Sequence, residues 1–296
     1  MRTLGKLFII MAALLALGAA FVWKHLTASA TPEQLTAESA SQPFTSATSS
    51  AQHSQGLPRL AAPTATLAAE RVKAFESLKQ RAKAGDAVAQ RQLAQAYDAC
   101  FVVNLDRQRF VTGYEALRMR EPEHAAVLDH LAQQRMAQCD AVDGGAIVPM
   151  ELIRGWYAQA AQNGDLFARA MDNALNLRPY DTARATRLMD DVVASGDPAA
   201  VYALGGNMSE TMVENMGEPY RALVTGPEAS TAWMLAGCRM GYDCGPESTE
   251  IVNLCLLSNR CLGETYEEMV FATLKSDAER QALERKIQQV MDAVTP

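Results

Sequence analysis

The six cysteines are the residues of this sequence whose chemistry is easiest to anticipate. They are Cys100, Cys139, Cys238, Cys244, Cys255 and Cys261. An even number of cysteines predicts disulfide bonds if the chain is exported. Cys238 and Cys255 lie near the ends of successive predicted helices, at opposite poles of an antiparallel hairpin, which disfavours a bond between them. Six cysteines allow 15 connectivities, and the sequence does not determine which one forms. Pairing within the two equal spacings, 238–244 and 255–261, would close a loop over a helix end and leave 100–139 as the third pair, so we favour this set.

The four C-terminal cysteines could instead bind a zinc ion. Zinc sites usually separate the two cysteines of a pair by two to four residues. Here the gap within each pair, Cys238 to Cys244 and Cys255 to Cys261, is five residues. Thiol oxidoreductases usually carry a Cys-x-x-Cys motif, which this sequence lacks. Disulfide bonds remain the preferred interpretation.

The two histidines after the first sixty residues are the other residues that could bind a metal. His124 and His130 lie near Glu121, Glu123 and Asp129. A spacing of six residues turns two side chains about 120° apart around a helix, so the histidines would not share a face. The sequence also lacks His-Glu-x-x-His, Gly-x-Ser-x-Gly and a glycine-rich phosphate loop. It predicts no catalytic, cofactor-binding or metal-binding residue.

A short turn motif recurs and organises the chain into helices. A small residue is followed three positions later by Gly-Asp, and an alanine follows the aspartate three positions later. The glycine–aspartate pairs of the three copies are Gly85-Asp86, Gly164-Asp165 and Gly196-Asp197. Glycine ends a helix in the left-handed conformation, and aspartate caps the next helix by accepting from its free amides. The motif therefore predicts helical hairpins. The second and third copies are 32 residues apart, and a degenerate fourth copy at Gly241 follows the third glycine by 45 residues; such periods are typical of helical solenoids.

The stretch from Trp156 to Asp165, with Ala168, resembles the Sel-one-like repeat, a relative of the tetratricopeptide repeat. Leu93-Ala94-Gln95-Ala96-Tyr97 is similar to the core of that repeat's first helix, although residues 101–148 match poorly. The resemblance implies an all-α fold, a right-handed α-solenoid of antiparallel two-helix repeats. Members of that family are mostly adaptors that bind other proteins, often in the cell envelope, and they share no catalytic residues.

Four aromatic residues are candidates for binding a partner on the concave face of such a solenoid. They are Trp156, Tyr157, Tyr202 and Trp233. In two-helix repeats, aromatic side chains usually pack between helices instead. Both interpretations stay open at this point.

The N-terminus predicts export. Arg2 and Lys6 accompany an apolar run from Leu4 to Val22, about 19 residues, which is long enough to span a bilayer. The charge order fits an N-terminus kept in the cytoplasm. Residues 1–26 are interpreted as an uncleaved signal anchor or as a signal peptide cleaved after a small-residue site such as 28–30. We favour the anchor, because the site at 28–30 lies far from the apolar run.

Composition and charge complete the domain organisation. Residues 27–66 are rich in Ser, Thr, Ala, Gln and Pro, and predict a disordered linker. Residues 67–296 form the predicted repeat domain. The net charge is −7, and it is −10 without the first thirty residues, which carry three bases and no acid. This acidity argues against nucleic acid as a partner.

Taken together, these features predict an envelope scaffold. We expect a single-pass protein of the bacterial inner membrane, with a periplasmic domain that binds envelope proteins and needs no cofactor. Two alternatives remain: an enzyme such as a cell-wall hydrolase with an unrecognised carboxylate site, and a soluble secreted factor. A pair of close carboxylates in a cleft would favour the enzyme. The sequence does not indicate the oligomeric state.

Overall fold

Every regular element in the described part of the chain is a helix. The computed structural model describes residues 65–175, 181–258, 261 and 265–294. Its α-helices are α1 (Ala65–Lys83), α2 (Ala87–Leu105), α3 (Arg107–Arg120), α4 (Ala125–Ala141), α5 (Met150–Gln162), α6 (Leu166–Leu175), α7 (Thr182–Ser195), α8 (Pro198–Gly206), α9 (Glu210–Asn215), α10 (Arg221–Val224), α11 (Ala229–Arg239), α12 (Thr249–Ser258), α13 (Tyr266–Ala272) and α14 (Asp277–Val294). Two short 3-10 helices cover Pro122–His124 and Asp143–Gly145. The predicted all-α class is confirmed.

The predicted N-terminal anchor, residues 1–26, lies outside the described residues. So does the predicted linker, residues 27–66, apart from its last two residues, which begin α1. Within the described ranges, no helix is both long enough and apolar enough to cross a bilayer.

The glycines of the turn motif have the conformation that the motif requires. Gly85, Gly164 and Gly196 have φ values of +94°, +95° and +60°, which side chains other than glycine rarely adopt. Each follows the end of one helix and precedes the start of the next, at α1–α2, α5–α6 and α7–α8. A glycine at these positions allows the chain to reverse within two or three residues.

The aspartates of the same motif cap the helices that follow. The carboxylates of Asp86 and Asp165 accept from the amides of Ala89 and Ala168, at 3.0 and 2.7 Å. Asp197 accepts from the amide of Ala199 at 2.9 Å, one position earlier than in the other two copies. These bonds satisfy amides that have no partner within the helix.

A row of packed helices forms the main core. Its order is α1, α2, α5, α6, α8, α11 and α14, and each helix packs against the next. The closest pair is α8 and α11. A Cβ atom on Gly205 would lie 2.7 Å from the backbone nitrogen of Met234, and one on Gly237 would lie 2.7 Å from that of Tyr202. The two glycines therefore set the distance between these helices.

The segment from 102 to 120, part of the region that matches the repeat poorly, is regular. Helix α2 continues to Leu105, and α3 fills 14 residues. Asp106 caps α3 by accepting from the amide of Arg109 at 2.9 Å. The buried residues of α3 are Phe110, Tyr114 and Leu117. Their spacing of three to four residues is helical, but charged neighbours obscure it in the sequence.

A second, smaller core joins distant parts of the chain. Its buried members are Tyr114 and Leu117 from α3, Leu128, Leu131 and Ala132 from α4, and Val252 and Cys255 from α12. Helix α12 thus folds back onto α4, more than a hundred residues earlier. In an ideal solenoid each repeat contacts only its neighbours, so this contact is a departure from that pattern.

The structure contains the three expected disulfide bonds. Cys100–Cys139 joins α2 to α4 with a Cα–Cα distance of 5.3 Å, and the other two are 238–244 and 255–261. All six thiols are used, which leaves none for a zinc site. Three disulfides indicate an oxidising compartment outside the cytoplasm.

Candidate functional site

A cleft of about 760 Å³ lies among the described helices. Side chains from α2, α3, α4, α5, α6, α8, α11 and α12 line it, together with the loop that follows α11. The contact between α4 and α12 brings residues of α12 to the same cleft as residues of α2. The row of helices and the returning α12 therefore both contribute to its lining.

Arg135 on α4 is a buried cation at the cleft. Its side chain is only 4% exposed, and its guanidinium donates to the carbonyl oxygen of Ala99 at 2.5 Å and to Oδ1 of Asn253 at 3.1 Å. These contacts connect α4 to α2 and α12. Burial lowers the pKa of Arg135 to about 10, partly offset by the negative charges of Glu250 and Asp98. The guanidinium is therefore charged at neutral pH.

Two carboxyl groups, Asp98 on α2 and Glu250 on α12, line the same cleft. Asp98 reaches solvent in the cleft, yet the surrounding helices remove much of its hydration, and this desolvation raises its pKa against the opposing effect of Arg135. Desolvation also raises the pKa of Glu250, and the negative charge of Asp98 adds to the rise. The two groups are thus close enough to repel each other when both are ionised.

Neither carboxyl group has a strong partner among the described residues. Arg135 opposes the rise in both pKa values through its charge rather than through a hydrogen bond. The Tyr202 hydroxyl interacts with Glu250 and favours its ionised form, but the two groups do not form a hydrogen bond of regular geometry. The cleft therefore holds carboxyl groups that a bound ligand could satisfy.

Three tyrosines, Tyr157, Tyr202 and Tyr242, form the aromatic wall of the cleft. The rings of Tyr202 and Tyr242 stack with centroids 4.3 Å apart, and Phe167 lies 6.2 Å from Tyr242. Burial raises the pKa of each hydroxyl above its ordinary value, so all three are protonated at physiological pH. Tyr202 is 5% exposed, and its hydroxyl oxygen has no hydrogen-bond partner in the described part of the chain.

Arg91 connects the repeat turn to this wall. Its Nε donates to the carboxylate of Asp165 at 2.9 Å, and its guanidinium carbon lies 5.2 Å from the ring centroid of Phe167. Asp165 is also the N-cap of α6, so the same carboxylate accepts from the Ala168 amide and from the Arg91 side chain, which lines the cleft. The charge of Arg91 is compensated by this pair.

The cleft continues into a second groove of about 720 Å³ along α3. Four residues line both: Val102, Phe110, Leu256 and Leu257. Val102 and Leu257 are 50% and 54% exposed. The second groove, named the apolar groove after these four side chains, is also lined by the charged residues Asp106, Arg109 and Arg120.

The four aromatic candidates from the sequence divide into two pairs. Tyr157 and Tyr202 line the cleft, whereas Trp156 packs partly buried against the main core. Trp233 is fully buried, and its indole nitrogen donates to the carbonyl oxygen of Leu223 at 3.1 Å. The two tryptophans therefore have packing roles, because neither is among the residues that line the cleft.

Sequence reasoning missed Asp98, Arg135 and Glu250. A signal was present for one of them. Arg135 lies four residues after Leu131 and seven after Leu128, on the apolar face of α4, and a charge on such a face indicates either a buried pair or a site. Asp98 and Glu250 gave no comparable signal, because carboxylates are common on exposed helix faces.

The histidines lie away from the cleft. His130 lies 3.4 Å from a carboxylate oxygen of Glu247, and both side chains are largely exposed. Atoms of Glu121, Glu123 and His124 approach within 4.8 Å of one another. This group is at least partly exposed, and clusters of exposed acids are common without a metal.

Comparison with known proteins assigns no family to the chain. No family model, curated protein or solved structure matches it significantly. The resemblance to Sel-one-like repeats therefore stays a prediction, and any functional argument must rest on the cleft itself.

Proposed function

We propose that this chain is a protein–protein interaction scaffold of the cell envelope, which binds an extended segment of its partner in the cleft. The observation that carries the proposal is the continuity between the polar cleft and the apolar groove, with Val102 and Leu257 exposed where the two meet. Exposed aliphatic side chains that line a groove are typical of binding surfaces. No covalent step is required.

We propose further that the helix row is a divergent right-handed α-solenoid of antiparallel two-helix repeats, similar to Sel-one-like repeats. The capped glycine–aspartate turns and the sequential packing of helices support this. The fold-back of α12 onto α4 would then be an addition that narrows the concave face. Fold resemblance alone is weak support for function, so the test must address the cleft.

The proposed location is the periplasmic side of a bacterial inner membrane, with residues 1–26 as a single-pass anchor and residues 27–66 as a tether. The disulfides support a place outside the cytoplasm, and the anchor rests on the N-terminal sequence. Cleavage near Ala30 would instead release a periplasmic or secreted protein. N-terminal sequencing of the mature protein and membrane fractionation distinguish these outcomes.

The proposed scaffold role is tested by capture after crosslinking in cells. Partners are recovered from the native envelope with the wild-type chain, with the double substitution Val102→Glu/Leu257→Glu, and with Met119→Glu as control. Met119 is 76% exposed and does not line the cleft or the groove. We expect one or two partners with wild type and control, and their loss with the double substitution. Equal recovery from all three would contradict a binding role for the cleft.

A hydrolase is the second candidate, because Asp98 and Glu250 provide a carboxyl pair with raised pKa values in one cleft. Such a pair can supply a general acid and a second carboxylate for glycoside hydrolysis. Purified protein would then release soluble fragments from peptidoglycan, and Glu250→Gln would abolish the release. Absence of release by the wild-type protein would exclude this substrate.

A further inference from the structure

We propose that the cleft recognises a cation, specifically the lysine or arginine side chain of an extended polypeptide segment whose neighbouring side chains are apolar. The inference rests on the proposed scaffold function and names the chemistry of its ligand. It is carried by the charges that line the cleft, by a buried hydroxyl group without a partner, and by the apolar groove that continues from the cleft.

The charges that line the cleft are unbalanced. Asp98, Asp243 and Glu250 contribute three carboxyl groups to its lining. The charge of Arg91 is compensated by Asp165, 2.9 Å away. Among the described lining residues, this leaves Arg135 as the one cation against three carboxyl groups. A cationic ligand would restore the balance and favour the ionised form of both Asp98 and Glu250.

The Tyr202 hydroxyl is an independent sign of a ligand. It belongs to a cleft-lining side chain that is 5% exposed, and no described residue satisfies its oxygen. A buried polar group without a hydrogen bond is unfavourable, and such groups are rare in native proteins. A ligand ammonium or guanidinium group beside Glu250 could donate to this oxygen and to the carboxylate together.

The aromatic wall suits the same kind of ligand. The stacked rings of Tyr202 and Tyr242 adjoin Glu250, and the negative charge of Glu250 acts on both hydroxyl groups. Tyr202 is only 5% exposed and Tyr242 stacks against both Tyr202 and Phe167, so the tyrosines offer hydroxyl oxygens as acceptors rather than open ring faces. Carboxylates and tyrosine hydroxyl groups together therefore favour a lysine or arginine side chain over a neutral one of similar length.

The apolar groove determines what flanks the cation. Val102, Leu257 and Phe110 line the connection between the acidic cleft and the groove. A polypeptide in extended conformation places successive side chains on opposite sides, so alternate residues can fill the two regions. We expect leucine, isoleucine or phenylalanine within a few residues of the cationic side chain.

The experiment uses two matched peptide libraries and the full-length purified chain. The first contains acetylated, amidated hexapeptides with one fixed lysine and two fixed leucines at varied spacing, and it carries an uncharged fluorophore. In the second, the lysine is replaced by Nε-acetyllysine, which keeps the length and removes the charge. Fluorescence anisotropy measures binding to the wild-type chain, to Asp98→Asn/Glu250→Gln, and to the control Glu151→Gln, an exposed carboxylate on α5.

We expect the best lysine peptides to bind wild type and control at least about 10-fold more tightly than their acetylated counterparts. The double substitution should remove this difference while circular dichroism shows unchanged helix content. Equal binding of the two libraries, or an undiminished preference in the double variant, overturns the proposed cation recognition. The absence of binding by either library also overturns the proposed cation recognition.

Failure of the cation proposal is distinguishable from failure of the scaffold proposal. If neither library shows a preference but Val102→Glu/Leu257→Glu still loses the captured partners, the cleft binds a partner of different chemistry. If that double substitution also leaves capture unchanged, the cleft is not the binding surface at all. The two experiments together therefore assign each outcome to one proposal.

Discussion

Glu250 illustrates, at the scale of single residues, how a binding group can reduce stability. Burial and the charge of Asp98 raise its pKa above the ordinary value of 4.5. When folding raises the pKa of a carboxyl group, the folded protein loses stability as the pH rises from the unfolded-state pKa to the folded-state pKa. Such arrangements are concentrated at functional sites, where natural proteins tolerate them.

We predict that Glu250→Gln increases the free energy of unfolding by roughly 1 kcal/mol at pH 7.5 and changes it little at pH 3, because the carboxyl group is protonated there in both states. Urea denaturation at the two pH values measures this difference. Glu151→Gln, at an exposed position in the first turn of α5, is the control and should not increase the free energy of unfolding at either pH. A Glu250→Gln variant that is less stable at pH 7.5 would show that the carboxylate stabilises the fold.

The turn residues could be predicted from the sequence at this scale, and the cleft residues only in part. Gly164 and Asp165 are recognisable because left-handed φ angles and helix caps depend on local chemistry. Arg135 was recognisable as a charge on an apolar helix face. Glu250 was not, because its proximity to Asp98 arises only when α12 packs against α4, a contact between residues more than a hundred positions apart.

At the scale of elements, the contact between α8 and α11 depends on two glycines. Gly206 is the last residue of α8, as expected of a glycine at a helix end. Gly205, however, is buried against the backbone of α11, and Gly237 is buried reciprocally against α8. No local pattern distinguishes a glycine required for close packing from one that ends a helix, so this role could not be predicted.

We predict that Gly237→Ala destabilises the protein by about 2 kcal/mol, because the added methyl group would lie 2.7 Å from the backbone nitrogen of Tyr202 and the helices must separate. The matched control is Gly113→Ala in α3, where no atom lies within 4 Å of the added group. The control should be neutral or stabilising by about 0.5 kcal/mol, since alanine has the higher helix propensity. Chemical denaturation of both variants checks the prediction, and equal effects would contradict it.

At the scale of the whole molecule, the fold is a row of helices closed by a returning segment. The all-α class followed from turn chemistry, and helix geometry favoured the disulfide pairs without determining them. The course of α3 and the packing of α12 on α4 did not, because they depend on a second core formed by residues from three separated helices. That core is also what turns a surface of the helix row into a cleft.

The disulfides should contribute unequally to this architecture. The bond 100–139 closes a loop of 39 residues, whereas 238–244 closes a loop of six. On the chain-entropy model, these loops correspond to about 4 and about 2 kcal/mol of stabilisation. We predict that Cys100→Ala/Cys139→Ala lowers the free energy of unfolding more than Cys238→Ala/Cys244→Ala does. Urea denaturation of the two double variants measures the order, and the reverse order would contradict the prediction.

The central claim is that the cleft binds a segment of a partner protein, and site-specific photocrosslinking in cells tests it most directly. A photoreactive amino acid is placed singly at Gln92, Val102 or Leu257, which line the cleft, and at Met119, which does not. We expect the three cleft positions to crosslink to the same envelope protein and Met119 to crosslink to none or to different proteins. No adduct from the cleft positions, or the same adducts from Met119, would contradict the account.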